Sequence, residues 1–549
     1  RTELTVDGYR QLREIRYPDG GIYSFEYADN EGLLTAKMEP ETNRFSHRFD
    51  SIGRLTDAED EAGGHWQYGT TAGGDESFLI SRLTAEGDLT TFLESQATDG
   101  SFSFVTTGPA GDESRTEHAP GGWSVFSELS CGTDVEKTYG LIPGYGYRYL
   151  TRTAETTESG LIRVLERERT YQDLDGDGHK DLILDRFTLN GKPTDVAHDL
   201  IRSEKTVTSP EGRQAVTAYD PATYQAQRVS VPALFDTTYD YYADGRLKQI
   251  LTGTREWYFT YDALGDLYTA RDPRGQVTTF EEYDAVGRVK AVRRPDNTVV
   301  RFDYDFNGNM TVLTTPSAVD HVFGYNDVNR NDLYETPISG EYVYRYDRDR
   351  RLTEILFPSG RSIEHVYSDG RLDYTMMPEG PVDVSYSCAS KIQSVTQGSE
   401  TVHYSYDASL ITEETFSGTL NQSLGYTYSN DFDVDSVTYA GDTDACTYDD
   451  DGLLTGAGRF IIGRKPANGL PESVADTSFA LNRTFNGYAE VDTETYEGGL
   501  GNLFDWRITA RYPDGRIQEK TETVLGATLV FGYRSEERRV GKECATGCR

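Results

Sequence analysis

Tyrosine recurs at a nearly constant interval through the second half of the chain, and this period restricts the possible folds more than any other feature. From Tyr242 onwards, successive tyrosines lie 19, 22, 21, 21, 21, 21, 19, 20, 22 and 20 residues apart, ending at Tyr448. Most are followed by a short Asp- and Gly-containing segment, such as YDAVG at 283–287. The same phase appears between Tyr27 and Tyr68. Self-similarity at a fixed period indicates a repeat architecture.

A second turn marker lies about halfway through each period. Turns of the form Pro-x-Gly or Pro-Asp-Asn begin at Pro18, Pro210, Pro273, Pro295, Pro358 and Pro378. The segments between the markers alternate apolar and polar residues, as in Thr298–Tyr304, which is typical of half-buried strands. Proline sets φ at the start of a turn and glycine supplies a positive φ near its end. The repeat unit is therefore a β-hairpin. Because a lone hairpin is marginally stable, the units must associate into a long all-β sheet.

These repeats resemble those of the YD-repeat (Rhs-repeat) proteins, whose signature is Tyr-Asp-x-x-Gly-Arg-Leu with a Pro-Asp-Gly turn. Matching copies are Phe49–Leu55, Tyr242–Leu247, Tyr283–Val289, Tyr346–Leu352 (without the glycine) and Tyr367–Leu372. The resemblance covers residues 10–70 and 206–533. It implies a long twisted sheet of hairpins that curls into part of a hollow shell. Such shells commonly enclose a C-terminal toxin domain in bacterial proteins, or form part of teneurin-like adhesion proteins.

Packing explains the residue types of the repeat. We expect glycine to take the left-handed turn position, leucine to begin the next buried face, and arginine to pair with carboxylates of an adjacent strand. We expect the tyrosines to stack ring on ring between neighbouring hairpins, with each hydroxyl reaching water or a polar partner. The functional alternative is that exposed rows of tyrosine bind sugar rings.

One sharp chemical motif interrupts the repeats: DLDGDGHKDLILD at 173–185. It places carboxylates at Asp173, Asp175, Asp177 and Asp181, and the backbone carbonyl of His179 at the seventh position. Alternate oxygens that converge in a tight loop suit Ca²⁺, which accepts six to eight of them, whereas Mg²⁺ prefers octahedral sites that retain water. Position 12 is Leu184 rather than the bidentate Glu of an EF-hand. The motif resembles the FG-GAP type of calcium loop between two strands, so we predict a structural Ca²⁺ site. The alternative is an acidic surface turn that binds no metal.

Other local patterns are weaker. The polar stretch 326–332 is interpreted as a long hairpin loop, with a weak metal site as the alternative. Residues 162–166 are compatible with a strand or a short helix. No Gly-x-Ser-x-Gly, Walker-type or His-Glu-x-x-His motif is present, and the eight histidines form no i,i+4 pair. These patterns predict a protein without enzymatic activity.

Composition limits the partners and the compartment. A net charge of −37 disfavours nucleic acid, because such a surface repels phosphate backbones. No run of 18 apolar residues is present, and five cysteines are too few for a disulfide scaffold. Residues 534–549 break the repeat and are basic. We interpret them as translated sequencing-adapter DNA joined to a truncated gene. The alternative is a native, disordered basic end. The chain opens within the repeat pattern, so we expect a fragment of a longer protein.

Together these observations predict four regions: YD-type repeats at 1–75, an irregular β-region with the acidic loop at 76–205, a YD-repeat array at 206–533, and the aberrant tail. The predicted function is a non-enzymatic shell fragment of a secreted or cell-surface bacterial protein that encloses or delivers a downstream C-terminal toxin domain. The alternative is an extracellular adhesion or glycan-binding module with a cell-surface glycan or protein as partner.

Overall fold

Short hairpins follow one another along the whole described chain. The computed structural model describes residues 1–28, 32–74, 76–388, 390–499, 501–524 and 527–533, so the predicted tail at 534–549 lies outside the described residues. Within these ranges 49 strands pair antiparallel with their neighbours in the chain and form an open sheet. The predicted all-β array of hairpins is confirmed.

The strands are short, as expected for a hairpin repeat. Strands β1 to β13 are Glu3–Val6, Leu12–Arg16, Ile22–Ala28, Leu33–Met38, Arg44–Phe49, Leu55–Asp60, His65–Ala72, Ser77–Leu83, Leu89–Gln96, Phe102–Thr107, Glu113–His118, Ser124–Leu129 and Thr133–Leu141. Strands β14 to β25 are Arg148–Thr156, Ile162–Gln172, Leu182–Leu189, Lys192–Asp199, Glu204–Thr208, Gln214–Tyr219, Ala226–Ser230, Thr237–Tyr241, Leu247–Thr252, Arg255–Tyr261, Leu267–Arg271 and Val277–Tyr283. Strands β26 to β37 are Val289–Arg293, Val299–Tyr304, Met310–Thr314, Asp320–Tyr325, Asn331–Thr336, Gly340–Tyr346, Leu352–Leu356, Ser362–Ser368, Arg371–Met377, Gly380–Tyr386, Ile392–Gln397 and Glu400–Asp407. Strands β38 to β49 are Leu410–Ser417, Gln422–Tyr428, Val434–Tyr439, Asp442–Tyr448, Leu454–Ala457, Phe460–Arg464, Pro471–Ala475, Phe479–Phe485, Val491–Gly498, Gly501–Arg511, Ile517–Val524 and Ala527–Gly532.

The turn of the YD motif owes its shape to the aspartate and the glycine. In the copy between β25 and β26, the Asp284 N–H donates to the carbonyl of Arg288 at 2.9 Å, and the Gly287 N–H donates to the carbonyl of Asp284 at 3.1 Å. The Asp284 carboxylate accepts the N–H groups of Val286 and Arg288 at 3.0 and 2.9 Å. Gly287 has a φ of 91°, which L-residues seldom adopt. The predicted place of the glycine is therefore observed.

The proline turns close the other end of several hairpins. Between β2 and β3, the Tyr17 N–H donates to the carbonyl of Gly21 at 2.8 Å, and the Gly20 N–H donates back to the carbonyl of Tyr17 at 3.0 Å. The stretch 326–332 contains a turn of the YD kind, in which the Asn326 side chain accepts the N–H groups of Val328 and Arg330. The interpretation of this stretch as a hairpin loop agrees with that geometry.

The pairing continues through the region predicted to be irregular. Residues 76–205 hold β8 to β17 and the start of β18, and the segment 162–166, which was compatible with strand or helix, opens the strand β15. The described residues contain one short 3₁₀ segment, Pro120–Gly122, and no helix in them has the length and apolar character needed to cross a membrane. The proposed boundaries at 75 and 205 stay predictions.

The chain forms two compact units, each assembled from separate stretches of sequence. The first comprises Arg1–Thr138, Ala154–Gly160 and Thr279–Gly425, and the second comprises Tyr139–Thr153, Leu161–Thr278 and the chain from Tyr426. The buried apolar residues are mostly small: Ala36 and Ala291 in the first unit are 1% exposed. Leu481 and Ile508 are buried in the second. Most strand residues are half-buried.

Candidate calcium loop and the contacts between turns

The acidic loop, defined as Asp173–Asp181, is the tip of the hairpin formed by β15 and β16. The register pairs Gln172 with Leu182, and the Asp181 N–H donates to the carbonyl of Gln172 at 2.9 Å. Two glycines with positive φ, Gly176 at 82° and Gly178 at 86°, bend the chain inside the loop. The two strands therefore hold the ends of the loop while the glycines fold its centre.

The bend brings together the four carboxylates that the sequence predicts. One oxygen each from Asp173, Asp175, Asp177 and Asp181 lies within 4.8 Å of the others. Asp181 is buried at the base and the other three are exposed. An oxygen-only donor set of this charge fits a hard divalent cation such as Ca²⁺. The contribution of the His179 carbonyl stays a prediction.

Backbone N–H groups orient these carboxylates. Asp173 accepts from Gly176 at 2.6 Å and from Gly178 at 2.9 Å, and these bonds hold the pKa of the Asp173 carboxyl below its usual value. The Asp181 carboxylate accepts the Leu174 N–H at 2.8 Å. The carboxylate of Asp173 is therefore ionised at neutral pH and fixed in direction, as a cation ligand requires.

The lysine within the loop points its charge elsewhere. The Lys180 ammonium lies 3.6 Å from the ring centre of Tyr145 and 4.1 Å from that of Tyr171, which is cation–π geometry. In the ranges that the structure covers, Lys180 forms no ion pair with the loop carboxylates. The negative charge of the acidic loop is thus not neutralised by its own lysine.

The repeat tyrosines form a different ladder from the one expected. Their hydroxyls donate to backbone carbonyls 14 or 15 residues earlier, at 2.7–3.1 Å. The donors are Tyr241, Tyr261, Tyr304, Tyr325, Tyr346, Tyr367, Tyr386, Tyr406 and Tyr448. The acceptor is the first residue of an earlier strand, such as Leu352 for Tyr367, except that Tyr386 donates to Leu372, the second residue of β34. We call this row of bonds the tyrosine ladder. It joins each repeat to the one before it.

The expected stacking of tyrosine on tyrosine is not the main contact of the ladder. The arginine of the Gly-Arg-Leu triplet lies over the next tyrosine, as Arg351 does over Tyr367 at 4.8 Å and Arg288 over Tyr304 at 5.0 Å. A guanidinium gains both quadrupole attraction and apolar contact from the ring face. Tyr242 also departs from the assumed phase: Tyr241 belongs to the ladder, and Tyr242 takes the place of the aspartate in the turn.

Arginine–carboxylate pairs do join adjacent strands, as Arg345 and Glu354 do, but the arginine of the Gly-Arg-Leu triplet instead forms two kinds of pair with carboxylates of turns. One lies within the turn, where Arg351 Nε is 2.7 Å from Asp347. The other joins turns far apart in sequence, as when Arg351 Nη1 contacts Asp88 at 2.7 Å. Arg288 and Arg351 thus each contact their own turn, the next tyrosine and a remote turn.

Contacts between remote turns recur inside both units, and we call them the turn seam. In the first unit they join Asp19 to Arg288, Glu39 to Asn329, Asp60 to Arg350, Asp88 to Arg351, Asp112 to Arg371, and Ser159 to Asp407. In the second unit they join Lys192 to Asp431, Arg213 to Asp449, and Arg255 to Glu490. The partners are 235–290 residues apart in sequence. Many of these side chains are largely buried. Loss of one partner therefore leaves a buried, unpaired polar group and strongly destabilises the fold.

A disulfide adds a covalent link within the first unit. Cys131 follows β12 and Cys388 follows β35, and the two are bonded across 257 residues. Cys446, on β41, is a free thiol. The sequence has only five cysteines, and their spacing is not that of a disulfide framework, so this bond could not be predicted from it.

The match to one family model agrees with this architecture. The sequence profile of the family described as Teneurin YD-shell matches residues 186–533. No curated protein matches. Among solved structures, the pore form of the Photorhabdus luminescens Tc holotoxin is 10% identical, covering 97% of this chain and 39% of the toxin chain with a TM-score of 0.49. The TcdB2–TccC3 complex is 11% identical, covering 97% and 38%, with a TM-score of 0.35. The chain thus spans about two-fifths of the toxin chains that it matches.

Proposed function

Since the chain belongs to the teneurin YD-shell family, we propose that it is a wall portion of a secreted or cell-surface bacterial shell. In this proposal the shell encloses or delivers a toxin domain encoded downstream, and it catalyses no reaction. The observation that carries the proposal is the tyrosine ladder. The repeat tyrosines recur because each hydroxyl donates a hydrogen bond to the backbone of the preceding repeat. They therefore hold the wall together, and their hydroxyls are not available to a substrate.

The polar contacts of the repeat support the same view. The YD aspartate accepts backbone N–H groups of its own turn, and the arginine that follows is engaged by a carboxylate and a ring. The side chains that define the signature are therefore occupied by their own turn and by neighbouring repeats. A sheet of this kind can extend by adding hairpins without creating a new active site.

The disulfide supports a location outside the cytoplasm. Disulfides form and persist in oxidising compartments and are rare where thiols are kept reduced. The Cys131–Cys388 bond joins two turns within one unit, so its formation depends on the folded arrangement of those turns. A secreted or surface-exposed shell fits this requirement.

Protease protection tests the enclosure. The intact gene product, expressed with whatever follows residue 533, is digested with a broad-specificity protease, beside the downstream domain expressed alone. We expect the downstream domain to survive inside the intact product under conditions that degrade the separate domain. Equal digestion of the two, with the repeat region intact, would contradict enclosure.

An adhesion or glycan-binding module is the second candidate, and one feature of the second unit favours it. Tyr145 and Tyr147 are 57% and 70% exposed on the loop that contacts Lys180 of the acidic loop. Exposed aromatic rings beside a cation site suit recognition of sugars or proteins. Binding of the chain to a glycan array, lost on Tyr147→Ala and kept on Tyr224→Ala, which alters another exposed tyrosine, would support this candidate. Further repeats and a surface anchor after residue 533 would also favour it.

We also propose that the acidic loop binds Ca²⁺ as a structural ion. The bound ion would offset half of the charge of the four converging carboxylates, whose mutual repulsion otherwise strains the hairpin tip. Calorimetric titration with CaCl₂ should detect uptake below about 1 mM, the range of extracellular calcium modules. Asp173→Asn should abolish it. Asp195→Asn, which removes an exposed carboxylate paired with Arg186, should leave it unchanged. Absence of uptake by the unaltered chain would refute the site.

A further inference from the structure

A histidine and two carboxylates meet on one face of the sheet, where β6 pairs with β7. Asp57 and Glu59 are two residues apart on β6, so their side chains leave the strand on the same side. The register places His65 of β7 directly opposite Glu59. One donor atom from each of the three residues lies within 4.8 Å of the others, and all three residues are half-buried. We call this group the histidine–carboxylate cluster.

The two carboxylates of the cluster converge on one atom, His65 Nε2. This nitrogen lies 3.1 Å from Asp57 Oδ1 and 3.7 Å from Glu59 Oε1. The first distance is that of a hydrogen bond, whereas the second is too long for one. A ring nitrogen carries at most one proton, so hydrogen bonding accounts for the approach of Asp57 to this atom but not for that of Glu59.

These separations fit a metal ion that is bound to all three donor atoms. Zinc bonds to histidine nitrogen and to carboxylate oxygen are about 2.0–2.2 Å long, so two donors at neighbouring corners of a tetrahedron are about 3.3–3.6 Å apart. The observed separations of 3.1 and 3.7 Å lie on either side of that range. A zinc ion therefore fits between the donors with small adjustments of the side chains.

The types of donor decide which metal the cluster suits. Imidazole nitrogen suits zinc and other transition metals of the first row, whereas Ca²⁺ and Mg²⁺ take ligands of oxygen alone. The cluster thus differs in chemistry from the acidic loop, whose grouped donors are four carboxylates. Three protein donors leave the fourth corner of the tetrahedron to water.

Arg48 is the neighbouring cation that a metal ion has to displace. Its Nη2 lies 3.0 Å from Glu59 Oε1, and the register of β5 and β6 places Arg48 opposite Asp57. The Arg48 side chain is 65% exposed, and exposed ion pairs contribute little to stability. The guanidinium can therefore turn into solvent when a divalent ion takes its place beside Glu59.

We propose that the histidine–carboxylate cluster binds a divalent metal ion of the zinc type, with Asp57 Oδ1, Glu59 Oε1 and His65 Nε2 as its ligands. The ion links β6 to β7 within the first unit. The inference is independent of the enclosed cargo and of the acidic loop, because the three ligands take part in neither.

Calorimetric titration of the 549-residue chain with ZnCl₂ tests the proposal. Free thiols are first alkylated with iodoacetamide, because Cys446 and the cysteines of the tail can also bind zinc. About 5 mM CaCl₂ is kept in the buffer to fill sites that consist of oxygen alone. We expect zinc to bind with a Kd of about 10 μM or below. With Co²⁺ in place of Zn²⁺, the strong visible absorption of tetrahedral cobalt should appear.

Variants assign the ion to the cluster. His65→Gln and Glu59→Gln should each raise the Kd for zinc at least about tenfold, because each removes one ligand. His403→Gln alters another half-buried histidine of the first unit, which lies outside the cluster, and should leave the Kd unchanged.

The urea midpoint of each variant without metal verifies its fold, and Glu59→Gln carries the test if His65→Gln does not fold. Weaker binding or no binding of zinc by the unaltered chain would overturn the proposal. An unchanged Kd in either folded ligand variant, or a cobalt complex without tetrahedral absorption, would overturn it as well.

Discussion

The copy of the repeat at 346–352 offers the sharpest test of the turn seam, because it departs from the signature. Arg350 stands where other copies have glycine and has a φ of 67°. A non-glycine residue in this region costs about 1–2 kcal/mol. Its guanidinium instead donates to Asp60 Oδ2, from Nη2 at 2.7 Å and from Nε at 3.0 Å, and the Asp60 side chain is 1% exposed.

The change Arg350→Gly restores the signature and should nevertheless destabilise the protein. It relieves the strained φ but leaves Asp60 as a buried carboxylate whose remaining partner of note is the Gly64 N–H at 2.8 Å. Loss of one partner of a buried pair costs about 3–5 kcal/mol, so the net loss in the free energy of unfolding should be about 1–4 kcal/mol. Urea denaturation followed by tryptophan fluorescence measures it, since Trp66 lies beside Arg350.

Two further variants separate the two effects. Ala318→Gly changes an exposed residue with a φ of 57° that makes no ion pair, and it should stabilise the chain by about 1 kcal/mol. Asp60→Asn combined with Arg350→Gly removes the stranded charge and should recover a large part of the loss. If Arg350→Gly were as stable as the unaltered chain, or behaved like Ala318→Gly, the energetic importance of the turn seam would be refuted.

Three other predictions follow from the same contacts. Tyr346→Phe removes one bond of the tyrosine ladder and should lower the free energy of unfolding by about 1 kcal/mol, measured by urea denaturation; no change would argue against the ladder. Cys131→Ser opens the link to Cys388 across 257 residues and should cost about 5.5 kcal/mol on the chain-entropy model, so a reductant should lower the melting temperature of the unaltered chain but not of the variant. Burial opposes ionisation of Glu490, but bonds from Arg255 and other polar partners outweigh it and hold its pKa below the ordinary 4.5. Its stabilising effect is therefore complete above about pH 4.5 and is lost as the pH falls through the lowered pKa. In Glu490→Gln, the free energy of unfolding should fall less steeply as the pH drops below about 4.5. An unchanged pH dependence would contradict the stabilising role of ionised Glu490.

The local parts of the fold were predictable because they depend on neighbours in sequence. The phase of tyrosine and proline located the hairpins, and the spacing of Asp173, Asp175, Asp177 and Asp181 located a tip where their oxygens converge. A turn is decided by residues within about five positions, so composition and spacing suffice.

The remote contacts were not predictable for the same reason. A period of about 21 residues specifies the hairpin but not which turns meet after hundreds of residues. The partners of Arg350 and Arg351, and the bond between Cys131 and Cys388, depend on that long-range arrangement. One signal was present in the sequence. Position 350 lacks the glycine of the signature, and the arginine there pairs with a remote turn. The stacking prediction failed at Tyr261, Tyr304, Tyr367 and Tyr386 because the arginine of the preceding turn takes the ring face that a second tyrosine would need.

Electron cryomicroscopy of the intact gene product tests the central claim most directly. If the chain is part of a shell that encloses a downstream domain, the reconstruction should contain polypeptide density surrounded by the hairpin sheet and connected to the chain after residue 533. A reconstruction in which the downstream residues form an ordered domain outside the sheet, with no polypeptide enclosed by it, would contradict the account.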